Sequence, residues 1–440
     1  MKRVVIPIAV LAVLCAAACT DPDIALRGER ESVTSILSDG GTKVEAEPVN
    51  QARAFKAPEQ SNNIAWPQGH GTPKSRTTHP ALGAELSLDW SVSIGRGDGG
   101  RARISADPIV VDGMVVTLDS HSVLTATSID GKKIWSLDLT PAGENSGEAD
   151  GGGLASGGGK IYATTGYGEL VAVSPATGEL IWKQFLMALA AGRPAYFDGL
   201  VYVVSGATTG WAIEAEDGRV RWQIEGISEI NTRRGSIGPA VTDKLVFFGY
   251  GSGDIQAAFR QGGLVLWTAT LAGKRSGYAI ATVGGIGSSP VVVGKAAYAA
   301  NLSGRLVAMN ADSGARLWTA PHGAVSPLWV AGGSVFLIND ISQLIRVDAR
   351  SGETVWAIDL PADKASLSWR STEVIAHHGP ILAGGRLIVT SGDGLIRQFD
   401  PVSGAALETV KVPGGATTSP VVAGGMLYVV SKTGKLHAFR

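Results

Sequence analysis

The stretch KIYATTGYGELVAVSPATGELIW, Lys160 to Trp182, decides the fold. Two runs in it, Lys160 to Thr165 and Gly168 to Val173, read as short strands with period-two alternation, and a third from Leu180 to Trp182 follows the pair Thr177-Gly178. Alternation at period two marks strands, and Gly grouped with Ser, Thr or Pro marks the turns between them. A second copy, KAAYAANLSGRLVAMNADSGARLW, runs from Lys295 to Trp318 with the same punctuation. The ending Gly-x-x-x-Trp recurs at Gly131 to Trp135, Gly218 to Trp222, Gly263 to Trp267 and Gly352 to Trp356, and in degraded form at Gly404 to Glu408.

Working outward, a proline precedes a short Val-rich run in most units: Pro108, Pro194, Pro239, Pro290, Pro327, Pro380 and Pro420, with Leu154 standing in the second unit. Each unit therefore holds four short strands, and no helical period is present. Leu88 to Arg440 spans 353 residues, and eight units of about 44 match the period of propeller blades. The reading is an all-β, eight-bladed β-propeller of four-stranded antiparallel blades. Four-stranded sheets around an axis bury both faces against their neighbours, and the repeated Trp supplies a large side chain for that contact. The last unit, Thr418 to Phe439, has three strands, while Asp89 to Ile94 reads as an outer strand with no blade of its own. Pairing the two closes the ring and removes two open sheet edges.

The N-terminus has a different character. Lys2 and Arg3 precede an uncharged run, Val4 to Ala18, which ends at Cys19. This is the pattern of an export signal, and its apolar part falls short of the roughly 20 residues of a membrane span. Residues 1–18 are expected to be a signal peptide. Residues 19–86, rich in Pro, Gly, Ser, Asn and charge, are expected to be a largely flexible tether, and residues 87–440 the propeller. Cys15 and Cys19 are the only cysteines, so the folded part has neither disulfide nor thiolate metal site and depends on a large core, which 45% hydrophobic composition supplies. Removal of the signal leaves 36 basic and 39 acidic residues, a near-neutral balance without the basic excess of nucleic-acid binders.

Little in the chain points to catalysis or metal binding. His377-His378 reads as a solvated loop, since neighbouring histidines without a third ligand rarely hold a metal. Gly95 to Gly100 reads as a propeller connector, because no strand-to-helix unit surrounds it, and Gly249 to Asp254 as a turn between strands. No nucleophile, base and orienting group assemble from the sequence, and no cofactor is expected. The connectors from each Trp strand to the next Pro strand share one rim, since four strands run alternately up and down. Several are long: Trp135 to Leu154, Trp222 to Pro239, Trp267 to Pro290 and Trp356 to Pro380. Long loops on one rim mark a binding face. Arg233, Arg234, Trp369 and Arg370 stand on them, and Arg and Trp are the residue types that most often dominate interface energy.

The unit Ala-x-x-x-(Thr/Ser)-Gly-x-x-x-Trp, at Ala172 to Trp182 and Ala308 to Trp318, resembles the repeat of pyrroloquinoline-quinone-like propellers, and Ala16-Ala17-Ala18-Cys19 resembles the lipobox of bacterial lipoproteins. Together they resemble the BamB family, the propeller lipoproteins of the outer-membrane β-barrel assembly machinery. The resemblance implies lipid attachment at Cys19, an outer-membrane location facing the periplasm, and a scaffold that binds the POTRA domains of BamA and aids the folding of outer-membrane proteins. It places partner contacts at Arg234 and Gly235, in a segment aligned with Asn231 to Gly235. The family's acidic contact segment aligns with Gly285-Ile286-Gly287, where neither acidic residue is present. Two alternatives share the repeat. One is a quinoprotein dehydrogenase, whose resemblance implies a catalytic Asp, calcium-binding carboxylates and often a Cys pair; the other is an interaction propeller for another envelope partner.

Overall fold

The computed structural model describes residues 50–69, 79–100, 102–149, 151–188, 192–206, 208–227, 237–271, 285–364 and 373–440. Eight four-stranded antiparallel sheets stand around an axis, in sequence order: blade 1 (109–138), blade 2 (152–185), blade 3 (195–225), blade 4 (240–270), blade 5 (291–320), blade 6 (329–359), blade 7 (377–411) and blade 8 (421–439). The outermost strand of blade 8 is Leu88–Ser93, which pairs with Lys435–Phe439 from Trp90↔Ala438 to Ser93↔Lys435. The backbones of Ser87 and Arg440 extend that ladder by two further hydrogen bonds of 2.8 and 2.9 Å. The expected ring and its closing strand are both present. An eight-bladed β-propeller is the fold.

The repeat motif explains itself in three dimensions. In each unit the Trp of one blade lies on the Gly of the next: Trp90 on Gly131, Trp135 on Gly178, Trp182 on Gly218, Trp222 on Gly263, Trp267 on Gly314, Trp318 on Gly352 and Trp356 on Gly404. A Cβ at these glycines would come within 2.6–3.0 Å of the indole or its neighbour, and their φ angles lie between 71° and 81°. Contact and backbone conformation both demand Gly. The indole N–H of each Trp donates to a carbonyl of the receiving blade, at 2.8 Å for Trp135 to Pro175 and 3.0 Å for Trp90 to Ile129. The small Ala of the motif sits directly across the strand pair from the ring, as Ala172↔Trp182 and Ala308↔Trp318.

This interlock accounts for the degraded seventh unit. The two outer strands of blade 8, Lys435–Phe439 and Leu88–Ser93, are far apart in sequence, with no turn joining them, so blade 8 offers no Gly shelf to its neighbour. An indole on blade 7 would have nothing to rest on. Glu408 stands there instead, exposed, and accepts a hydrogen bond from Gln398 Nε2 at 3.2 Å.

The core is a ring of apolar layers between successive blades, such as Val116, Leu124, Ile161 and Val171 between blades 1 and 2. The largest cluster joins blades 6, 7, 8 and 1 and includes Trp66, Leu82 and Leu86 from the segment before the propeller. Residues 50–69 and 79–86 thus differ from the flexible tether expected of them. Gln51 N donates to Val355 O (3.1 Å), and Asn50 makes a paired amide contact with Ala357 at 2.9 and 3.1 Å, both on the outer strand of blade 6. Arg346 replaces the motif Ala in blade 6, and its guanidinium donates to the carbonyls of Arg53, Ala54, Pro401 and Val402 while lying over the Phe55 ring. Asn63 holds the blade 8 hairpin through Val422 and Gly424, each at 2.7 Å. The segment then ladders with Val110 through Trp66 and with Ala155 through Gln68. These residues form a strap across the rim that carries the inner and outer hairpin turns, opposite the connectors.

Candidate functional site

The segments that lead into the innermost strands converge on the axis and line a funnel of about 650 Å³ on the connector rim. Its wall comprises parts of 98–107, 286–289, 325–327, 374–378 and 416–419, with Arg193 and Lys432. Trp66 lies next to it, behind Asp107 and Pro327. It stacks on Trp329 with centroids 6.3 Å apart, and it shares a small void of about 10 Å³ with Asp107, Pro327, Pro380 and Pro420.

Arg193 crosses the second blade to form an ion pair with Asp107. Gly153 makes this possible, because a Cβ there would overlap the Arg193 side chain at 2.2 Å. Gly153 clears the aliphatic stem of Arg193, while its neighbour Gly152, at φ 123°, faces Thr164 O. Asp107 also accepts from Ser419 N at 2.8 Å, and so ties blade 8 to blades 1 and 3. Asp98 accepts from Ile104 N (2.8 Å) and from Thr417 Oγ1 (3.1 Å), while Asp98 N donates to Lys432 O at 2.7 Å. These bonds fix the connector 94–104 to blade 8.

The two adjacent histidines are not a solvated loop. They begin the inner strand His377–Ala383 of blade 7, where each has its own surroundings. His377 is buried, with its ring nitrogens 2.7 Å from Ser391 Oγ and 2.8 Å from Pro361 O, and burial pushes its pKa down. His378 turns toward the funnel. Its Nε2 is shielded without a hydrogen-bond partner, and burial, with smaller contributions from His377 and Lys432, pushes its pKa down to about 4.

Cys19, Arg233, Arg234, Gly235, Trp369 and Arg370, the lipid-attachment and partner-contact residues expected from the sequence, lie outside the described residues. The connector bearing Trp369 and Arg370 begins and ends in a two-residue ladder, Asp363–Lys364 with Glu373–Val374. Gly285-Ile286-Gly287, aligned with the family's acidic contact segment, pairs with blade 5 through Ile286↔Asn301, and Ile286 is buried in the layer between blades 4 and 5. Sequence reasoning missed Asp107, Arg193 and His378 as funnel residues, and Trp66 beside them. The one signal available was the absence of proline from the second unit.

The model for the family "Outer membrane protein assembly factor BamB" matches residues 120–358 and 360–440. Proteins of that name from Yersinia pestis and Salmonella typhimurium are 24% and 26% identical to this chain. The first alignment covers 80% of this chain and 88% of the relative, the second 79% and 87%. Among solved structures, BamB from Moraxella catarrhalis superposes with a TM-score of 0.64 at 18% identity, covering 81% of this chain and all of that one. A quinohemoprotein alcohol dehydrogenase from Comamonas testosteroni superposes with a TM-score of 0.63 at 15% identity, covering 86% and 81%. That second likeness is one of fold.

The calcium of the dehydrogenase resemblance does not fit this funnel. Its carboxylates, Asp98 and Asp107, are already held by backbone, hydroxyl and guanidinium donors, and among the described residues no three His, Cys, Asp or Glu side chains converge on one point. With the family model matching blade after blade across the ring, the chain belongs to the family of the outer-membrane protein assembly factor BamB.

Proposed function

We propose that this chain is a non-catalytic scaffold lipoprotein of the outer-membrane β-barrel assembly complex, anchored at Cys19 and facing the periplasm. It binds the POTRA domains of BamA through the connector rim and aids folding and insertion of outer-membrane proteins. The family match across residues 120–358 and 360–440 carries this reading. The poor fit of the funnel's carboxylates to calcium supports the non-catalytic part. Arg234 and Gly235 are the positions that keep the family's contact segment, with Arg233, Trp369 and Arg370 on the same set of connectors.

Affinity purification of the full-length protein from membranes tests the partner. BamA is expected to co-purify, and Arg234→Ala or Trp369→Ala to weaken that association by about 2 kcal/mol or more, with stability changed by less than ~0.5 kcal/mol. Cys19→Ser is expected to release a folded protein into the soluble periplasm. Recovery of a different envelope protein in place of BamA refutes the assignment, and calcium-dependent dye reduction with added quinone refutes the non-catalytic reading.

A further inference from the structure

The strap already occupies the outer edge of one blade. On blade 6 it runs against the outermost strand, Thr354–Asp359, in the opposite direction. Gln51 N donates to Val355 O at 3.1 Å, and the Asn50 amide accepts from Ala357 N (2.9 Å) and donates to Ala357 O (3.1 Å). Val355 is 1% exposed there. The apolar residues that hold its place before the Trp in other blades, Ile134, Ile181, Leu266 and Leu317, are between 43% and 56% exposed. Blade 6 is thus a filled copy of an edge that stands open elsewhere in the ring.

The open edges differ in their protection. An unpaired sheet edge invites another chain, and folded proteins guard it with charge or proline. The outer strands of the other seven blades each carry at least one charged residue, such as Lys183 in blade 2, Arg221 in blade 3 and Arg316 in blade 5. The outer strand of blade 4, Val265–Thr270, reads VLWTAT and has neither charge nor proline. Its register on the third strand, from Ala258↔Val265 to Asp254↔Thr270, matches that of blade 6, from Val347↔Thr354 to Gln343↔Asp359. Leu266 and Thr268 therefore stand where Val355 and Ala357 do. By that equivalence Leu266 C=O and both backbone groups of Thr268 point outward, and no group among the described residues pairs with them. Leu264, Val265 and Leu266 form an exposed apolar run at one end, while Arg316 of blade 5 caps the other by donating to Thr270 O at 3.0 Å.

What fits such an edge is short, extended and apolar. Two rings meeting along one six-residue strand would cover far less than the roughly 1,200–2,000 Å² of a stable protein interface. A single extended chain needs only the open backbone groups, as on blade 6, with apolar side chains at alternate positions to meet the leucines.

We propose that Val265–Thr270 is a strand-addition site for an unfolded polypeptide segment with alternating apolar residues, the pattern that outer-membrane β-strands carry. Such a site deepens the scaffold reading, on which it rests for the source of the segments, but its peptide binding does not depend on BamA.

Fluorescence anisotropy on the detergent-solubilised full chain tests it, with a labelled peptide of alternating valine and threonine as probe and the same peptide with proline at every second position as control. Saturable binding of the first and none of the second is expected. Leu266→Lys places a charge on the edge and Thr268→Pro removes one outward N–H; each is expected to weaken binding about tenfold, the first with an unchanged melting temperature. Leu317→Lys on blade 5 should bind like the parent. Absence of saturable binding overturns the proposal, as does binding undiminished in Leu266→Lys or weakened equally by Leu317→Lys. A dimer in sedimentation velocity that Leu266→Lys disperses also overturns it, by seating a second copy on the edge. Leu266→Lys is expected to co-purify with BamA at the parent level, so failure of the peptide arm and failure of the scaffold reading are distinguishable.

Discussion

Replacing Trp66 by Ala tests whether the strap is part of the folded body. Trp66 is 2% exposed, stacks on Trp329 of blade 6 and exchanges backbone hydrogen bonds of 2.8 and 2.9 Å with Val110 of blade 1. The substitution leaves the ladder in place but removes the ring stacked on Trp329. Truncating a buried Trp costs about 3–5 kcal/mol. Unfolding entropy near 2.1 cal/mol/K per residue amounts to roughly 0.7 kcal/mol/K for a ring of this size. The melting temperature is therefore expected to fall by about 4–7 °C, measured by scanning calorimetry at one scan rate. Ile64→Ala on the same strap is the control, because Ile64 is 81% exposed and surface truncations usually stay within about 0.5 kcal/mol. Equal melting temperatures for the two variants would falsify the view that the strap seals the ring.

Two further expectations follow from the closures. Gly263→Ala forces a side chain onto a left-handed backbone and against the Trp222 ring 2.7 Å away, so chemical denaturation should show a loss of about 1–2 kcal/mol from the backbone alone. Gly262→Ala, where a Cβ meets nothing within 4 Å, should be close to neutral, and a similar loss in both would refute the shelf role of Gly263. At the closing strand, the His437 ring bonds Ser91 Oγ (2.7 Å) and Ser431 Oγ (3.0 Å), and burial, then Lys435, pushes its pKa down to about 4. An unfolded His titrates near 6.5, so its contribution is complete above that pH and is lost as pH falls from 6.5 toward 4. A decline on the order of 1–3 kcal/mol across that window is expected from His437, and His437→Gln should make the pH profile shallower, leaving the share due to the likewise depressed His377 and His378; an unchanged pH profile in the variant refutes the link.

The sequence legible on its own was the part whose physics is local. Alternation, Gly-turns and the Gly-x-x-x-Trp ending repeat within about 44 residues, so they revealed the strands, the blade count and the orphan strand around Trp90. Even the exceptions were visible as exceptions, at Glu408 and at the proline missing beside Leu154, although their causes were not.

Those causes depend on partners far along the chain. Glu408 makes sense only once blade 8 is seen to lack an outer turn, and Gly153 only once Arg193 is seen to cross it toward Asp107. In sequence the strap looks like tether, because Phe55 and Trp66 stand among polar residues without a period. Their apolar surroundings are supplied by Phe336 and Trp329, more than 250 positions away. His377 and His378 carry no pattern that separates a core ring from a funnel ring; only the pleat of their strand does that. Sequence thus determined which blades form and how many, because short-range periodicity specifies a sheet. Tertiary structure decided what lies on the axis, because a channel wall is assembled from one short segment of each blade and exists only after the ring has closed.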